Sequence, residues 1–94
     1  MEELEIQIID PVELHQQMAI QVAIVIDDEI RYCYVSSPEG LKNFGDWIDG
    51  TQVRFHYNFS DLIVVSEISE DLIIKAIKHI QKEGKLKQCT SSAN

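Results

Sequence analysis

The sequence predicts an α+β domain: an antiparallel sheet of four or five strands, with a short middle helix and a C-terminal amphipathic helix packed on one face. Three observations carry this. Large apolar residues recur with a period of two at residues 4–9, 18–26, 30–35 and 52–59, against polar or smaller ones on the other face. One stretch with helical periodicity follows the strands, from Ser69 to Gly84. Turn-forming residues, such as Asp10-Pro11 and Ser60-Asp61, punctuate the runs. The 94 residues are read as a single domain, with 85–94 as a frayed tail.

Each element has its own warrant. Leu4, Ile6 and Ile8 share one face of a half-buried strand against Glu5 and Gln7, and Asp10-Pro11 ends it. Residues 12–17 read as a loop with room for one helical turn. Residues 18–26 place Met18, Ile20, Val22, Ile24 and Ile26 on one face, and 30–35 place Ile30, Tyr32 and Tyr34 on one face. A three-residue loop, Asp27-Asp28-Glu29, pairs Ile26 with Ile30, Ile24 with Tyr32 and Val22 with Tyr34, so the expectation is that all the large residues enter the core together. Ser37-Pro38 starts a short helix whose buried stripe is Leu41, Phe44 and Ile48, and Gly50 stops it. Val53, Phe55, Tyr57 and Phe59 alternate along the next strand, and Leu62–Val65 reads as a strand buried on both sides. In the last helix Ser69 caps, Glu70 and Asp71 favour the positive end of the dipole, and Ile73, Ala76, Ile77 and Ile80 form the core stripe opposite Lys75, Lys78, Lys82 and Lys85.

Charge is distributed unevenly. The chain carries −8, but residues 1–74 hold 15 acids against Arg31, Lys42 and Arg54, a net of −12, whereas residues 75–94 are net +4. Such a surface repels nucleic acid and anionic lipid over most of its area and attracts a basic partner. No apolar run approaches the roughly 20 residues that cross a bilayer. The acidic start, Met-Glu-Glu-Leu-Glu, is unlike a secretory signal, so a cytoplasmic location is expected, with Cys33 and Cys89 as free thiols.

Residues that carry chemistry are sparse. His15, His56 and His79 are isolated, no Cys-x-x-Cys occurs, and no glycine-rich phosphate loop can be built from four scattered glycines. Cys33 and His56 are the one nucleophile–base pair that neighbouring strands could bring together, against which Cys33 reads as a small core hydrophobe. The expectation is a protein without catalysis, metal or cofactor. Binding features are better represented. Asp27, Asp28 and Glu29 place three carboxylates on one tip, and Asp46-Trp47-Ile48-Asp49 sets a half-exposed tryptophan between acids, the composition of an interface anchor aimed at a cationic surface.

The order of segments resembles the immunity protein 8 family of bacterial polymorphic-toxin systems over residues 18–83. In IRYCYVSSPEGL, Ile30, Tyr32 and Tyr34 take the family's alternating-strand positions, and Ser36, Ser37, Pro38 and Leu41 take those of its Cys/Ser-x-Pro-x-x-Leu motif. LIVVSEISEDLIIKAIKHIQKEG is similar to the family's apolar strand, acidic turn and closing helix. The resemblance implies a cytoplasmic inhibitor that binds and blocks a toxin domain with a basic surface. The partner-binding residues expected from the chain itself are Asp27, Asp28, Glu29, Asp46, Trp47 and Asp49. A second reading is a self-associating adaptor that pairs through a sheet edge as a homodimer. An enzyme or small-ligand binder needs a pocket with convergent polar groups, and a nucleic-acid mimic needs carboxylates spaced like phosphates.

Overall fold

The computed structural model describes residues 4–55 and 60–92, the side chain of Arg54 excepted; His56, Tyr57 and Phe59 therefore lie outside the described residues. Strand β1 (Leu4–Ile8) leads through a 3-10 turn (Val12–Gln16) into β2 (Ile20–Ile26) and β3 (Glu29–Ser36). A 3-10 turn (Gly40–Asn43) precedes a small ribbon, β4 (Asp46–Trp47) with β5 (Arg54–Phe55). The chain then adds β6 (Leu62–Val64), helix α1 (Glu70–Lys82), a third 3-10 turn (Leu86–Cys89) and β7 (Ser91–Ser92). The main sheet runs β1-β2-β3-β6, antiparallel except that β6 lies parallel to β3, and β7 pairs with β3 beside β6. The chain is α+β, with an antiparallel sheet and one C-terminal helix over one face.

The helix forms as the sequence predicts. Ser69 caps it, its Oγ accepting from the Leu72 amide at 3.1 Å, and Gly84 takes a φ of +73° just past its end. Ile73 and Ile77, four residues apart, are fully buried against Val22, Ile24, Cys33 and Val35. Fully burying each such isoleucine contributes about 1.5–3 kcal/mol.

The hairpin departs from expectation in register. Its loop has two residues: Asp27 and Asp28 both have positive φ, at 49° and 67°, as a type I′ turn requires. Ile26 consequently pairs with Glu29, Ile24 with Arg31 and Val22 with Cys33. This one-residue slip sends Arg31, Cys33 and Val35 to the helix side, and Ile30, Tyr32 and Tyr34 to the opposite face. The smaller Cys33 and Val35 fit beneath α1, while the tyrosines stand half-buried on the face that no helix covers.

Three other expectations change. The middle helix is reduced to the four-residue turn Gly40–Asn43: Phe44 is already extended and Gly45 has φ +98°, so Ile48 is exposed rather than in a core stripe. Val53, Phe55 and Val64 are exposed, since β5 belongs to the ribbon and β6 is a short outer strand with one open face.

The segment after Gly84, expected to be frayed, is folded. Leu86 and Thr90 are buried, and Arg31 holds the segment: Nε donates to Thr90 Oγ1 at 2.7 Å, and Nη2 donates to the carbonyls of Thr90 at 2.9 Å and Lys87 at 3.1 Å. The Thr90 hydroxyl in turn donates to the Leu86 carbonyl at 2.9 Å.

Candidate functional site

Two acidic surfaces and an apolar face between them are the features with binding character. The first is the hairpin tip. Asp27, Asp28 and Glu29 are exposed, and the turn geometry holds the two aspartates at the extreme end of β2 and β3. Glu29 already forms an ion pair with Arg31, leaving Asp27 and Asp28 as the tip carboxylates with no such pairing described. They line, with Leu4, Glu5 and Val25, a shallow cleft of about 340 Å³.

The second surface is the ribbon. Asp46 lies opposite Phe55 and Trp47 opposite Arg54. The loop between them is closed by its own backbone: the Ile48 amide donates to the Val53 carbonyl at 2.9 Å and the Thr51 amide to the Ile48 carbonyl at 3.0 Å. The Thr51 hydroxyl donates to the same Ile48 carbonyl at 2.8 Å and accepts from the Val53 amide at 3.1 Å. Gly50, at φ +77°, permits the reversal. This closure presents large apolar side chains to solvent: Trp47 is 54% exposed and Val53 56%, with Ile48 and Phe55 exposed beside them. Trp47, Ile48, Asp49 and Phe55 line an open depression of about 480 Å³. A rigid aromatic anchor ringed by aliphatics and carboxylates is suited to desolvation against a partner bearing cations.

The two acidic groups do not meet. Eight residues of β3 separate the tip from Ser36, about 26 Å at strand rise. Beyond Ser36 come the Gly40–Asn43 turn, against which β5 packs, and then the ribbon, so tip and ribbon stand at opposite ends of a molecule measuring 49 × 26 × 21 Å. What joins them is the sheet face away from α1. Val25 and Ile30 begin it near the tip, Ala23 and Tyr32 follow, and Tyr34 meets Phe44 edge-on with ring centroids 5.9 Å apart, two residues before β4. The sequence expectation hid this face by placing Ile30, Tyr32 and Tyr34 in the core. The signal that could have revealed it is the Asp27-Asp28 pair, because aspartate tolerates the left-handed backbone of a two-residue turn.

His56, the base of the candidate Cys33–His56 pair, lies outside the described residues. Among the described residues, no group of three histidine, cysteine or acidic side chains stands together as a metal site. Cys33 is buried and its thiol is pushed up to about 12, first by desolvation and then by the neighbouring Asp61 carboxylate and Cys89, so it stays a protonated core group at neutral pH. Both cysteines are free. No helix among the described residues is long and apolar enough to cross a membrane.

The fold and these surfaces define a small α+β protein with exposed acidic–aromatic patches. No protein-family model, curated protein or solved structure gives a significant match to the chain.

Proposed function

We propose that this chain is an immunity protein: it binds a cognate bacterial toxin domain with a basic surface, a nuclease on the charge argument, and neutralises it by steric and electrostatic occlusion. The observation that carries the reading is the ribbon patch, where Trp47, Ile48, Val53 and Phe55 are held in solvent beside Asp46 and Asp49. Solvent-facing aromatics are costly unless a partner covers them, and flanking carboxylates select a partner rich in lysine and arginine. The net −12 over residues 1–74 steers such a partner before contact. The inhibitor acts by binding alone, in the cytoplasm of the cell it protects, without cofactor or metal. A specific complex of this kind buries about 1,200–2,000 Å² in total.

The test is co-expression with the toxin domain encoded beside this chain, together with a direct binding measurement. The chain should rescue growth, and Asp46→Lys with Asp49→Lys should weaken the complex at least tenfold and flatten its loss with salt, because the attraction that salt screens has been removed. Trp47→Ala should cost about 2 kcal/mol of binding, the scale of an interface anchor. Full protection and unchanged affinity in both variants would move the interface off the ribbon.

A further inference from the structure

The edge of the sheet at β1 is built to accept another strand. The Ile9 amide donates to the Gln21 carbonyl at 2.9 Å, which places the bonded β1–β2 pairs at Glu5–Val25 and Gln7–Ala23. The hairpin gives the same phase independently: its two-residue turn makes Ile26–Glu29 the closing bonded pair, so the even residues of β2 bond to β3 and the odd ones to β1. The N–H and C=O groups of Leu4, Ile6 and Ile8 therefore point away from the sheet, three donors and three acceptors in a row. β1 lies at the end of the strand order and carries none of the lysine, proline or bulge that usually blunts an edge.

The side chains around this edge specify what fits it. Leu4, Ile6 and Ile8 are only half-buried on the helix side, packed against the core on one flank. Glu5 and Gln7 are exposed on the other side, and Glu5 lines the cleft that also holds Asp27 and Asp28. We infer that β1 binds an extended segment of a basic protein as an added antiparallel strand, with alternate aliphatic residues continuing the Leu4–Ile6–Ile8 row and alternate lysines or arginines facing Glu5, Asp27 and Asp28. Main-chain bonds supply affinity in this mode and alternate side chains supply selectivity. A second copy of this chain fits the charge less well, because it brings its own net −8 to the same carboxylates. The inference rests on the reading of the partner as a basic protein, and adds a second contact at the end of the molecule far from the ribbon.

Antiparallel pairing couples side-chain face to amide direction: the residues of the added strand that sit on the helix side are the ones whose amides face β1. The probe is acetyl-(Lys-Val)3-amide, titrated into the 15N-labelled full chain at low salt. The amides of Leu4, Ile6 and Ile8 should shift most and exchange at least tenfold more slowly. A (Glu-Val)3 peptide should bind at least tenfold more weakly. N-methylation of the three valines should abolish binding, whereas N-methylation of the lysines should leave it within twofold. Ile6→Pro, which removes an amide that β2 does not use, should weaken the peptide at least tenfold; the N-methyl pair asks the same question without altering the protein. Shifts confined to the ribbon, equal binding of the two N-methyl peptides, or a dimer of the free chain that Ile6→Pro dissolves would each overturn the inference. Peptide binding at β1 without rescue from the toxin would sink the proposed function and leave the strand site standing; rescue without peptide binding would do the reverse.

Discussion

Replacing Arg31 should detach the C-terminal segment from the sheet. The Arg31 side chain is 13% exposed, and its guanidinium makes three bonds to that segment, to Thr90 Oγ1, the Thr90 carbonyl and the Lys87 carbonyl, while pairing with Glu29. Hydrogen bonds to a charged group contribute about 1.5–3 kcal/mol each in isolation, but they share one side chain and are not additive. Removing the group also strands two carbonyls that have lost their donor. Against these losses, the freed segment regains chain entropy and water can reach the carbonyls once it lifts. The balance for Arg31→Met is a destabilisation of about 2–4 kcal/mol, a large share of the roughly 5–14 kcal/mol expected for a chain of this length. In urea, with a slope of about 1–1.5 kcal/mol per molar, the midpoint should fall by about 2 M, and the slope should drop slightly because the detached segment exposes its surface before the main transition. Hydrogen exchange of the Leu86–Thr90 amides should speed up, and trypsin should cut at Lys85 and Lys87 before the protein unfolds globally. Arg31→Lys should recover part of the loss only, since an ammonium cannot span the same three acceptors. A midpoint shift below about 0.3 M with Lys87 still protected would refute the argument, and would mean that burial of Leu86 alone holds the segment.

Two further outcomes test the hairpin and the core. Asp28, at φ +67°, occupies the second position of a turn that favours glycine, so Asp28→Gly should stabilise the protein by about 0.5–1 kcal/mol, read as a higher melting temperature, whereas Asp28→Val should destabilise it. Cys33 should be silent to thiol reagents in the native protein while the partly exposed Cys89 reacts. Its thiol is raised from 9.0 to about 12 in the fold, so between those values the unfolded chain ionises and the native chain holds its proton. Its contribution is intact below pH 9 and is lost as pH rises toward 12, at up to about 1.4 kcal/mol per pH unit. The stability difference between the protein and Cys33→Ala should narrow by that slope above pH 9; parallel curves would show that the thiol ionises as readily folded as unfolded.

Much of the architecture is legible in one dimension because its determinants are local. The cap at Ser69, the Ile73–Ile77 spacing and Gly84 define α1 within one short local segment, and the alternation of Leu4–Ile8 and Ile20–Ile26 marks two strands without reference to anything else. The crowding of acids into residues 1–74 is likewise a property of composition, and so is the setting of Trp47 between Asp46 and Asp49.

Register, by contrast, belongs to the assembled sheet. Residues 30–35 carry apolar side chains on both faces, so the pattern accepts either a two- or a three-residue turn. The choice falls to long-range contacts: Cys33 and Val35 fit beneath α1, and Arg31 needs carbonyls that only the segment 59 residues away supplies. The fate of 44–55 was settled in the same way. Leu41, Phe44 and Ile48 have helical spacing, but Phe44 packs on Tyr34, Gly45 turns at positive φ, and the chain closes a ribbon instead. Local periodicity reports which residues prefer to be buried together; which partner buries them is decided by distant segments, whose contacts outweigh a helix preference of a few tenths of a kcal/mol per residue. The open sheet face and the exposed ribbon are consequences of that decision, and neither could be read before the pairing partners were known.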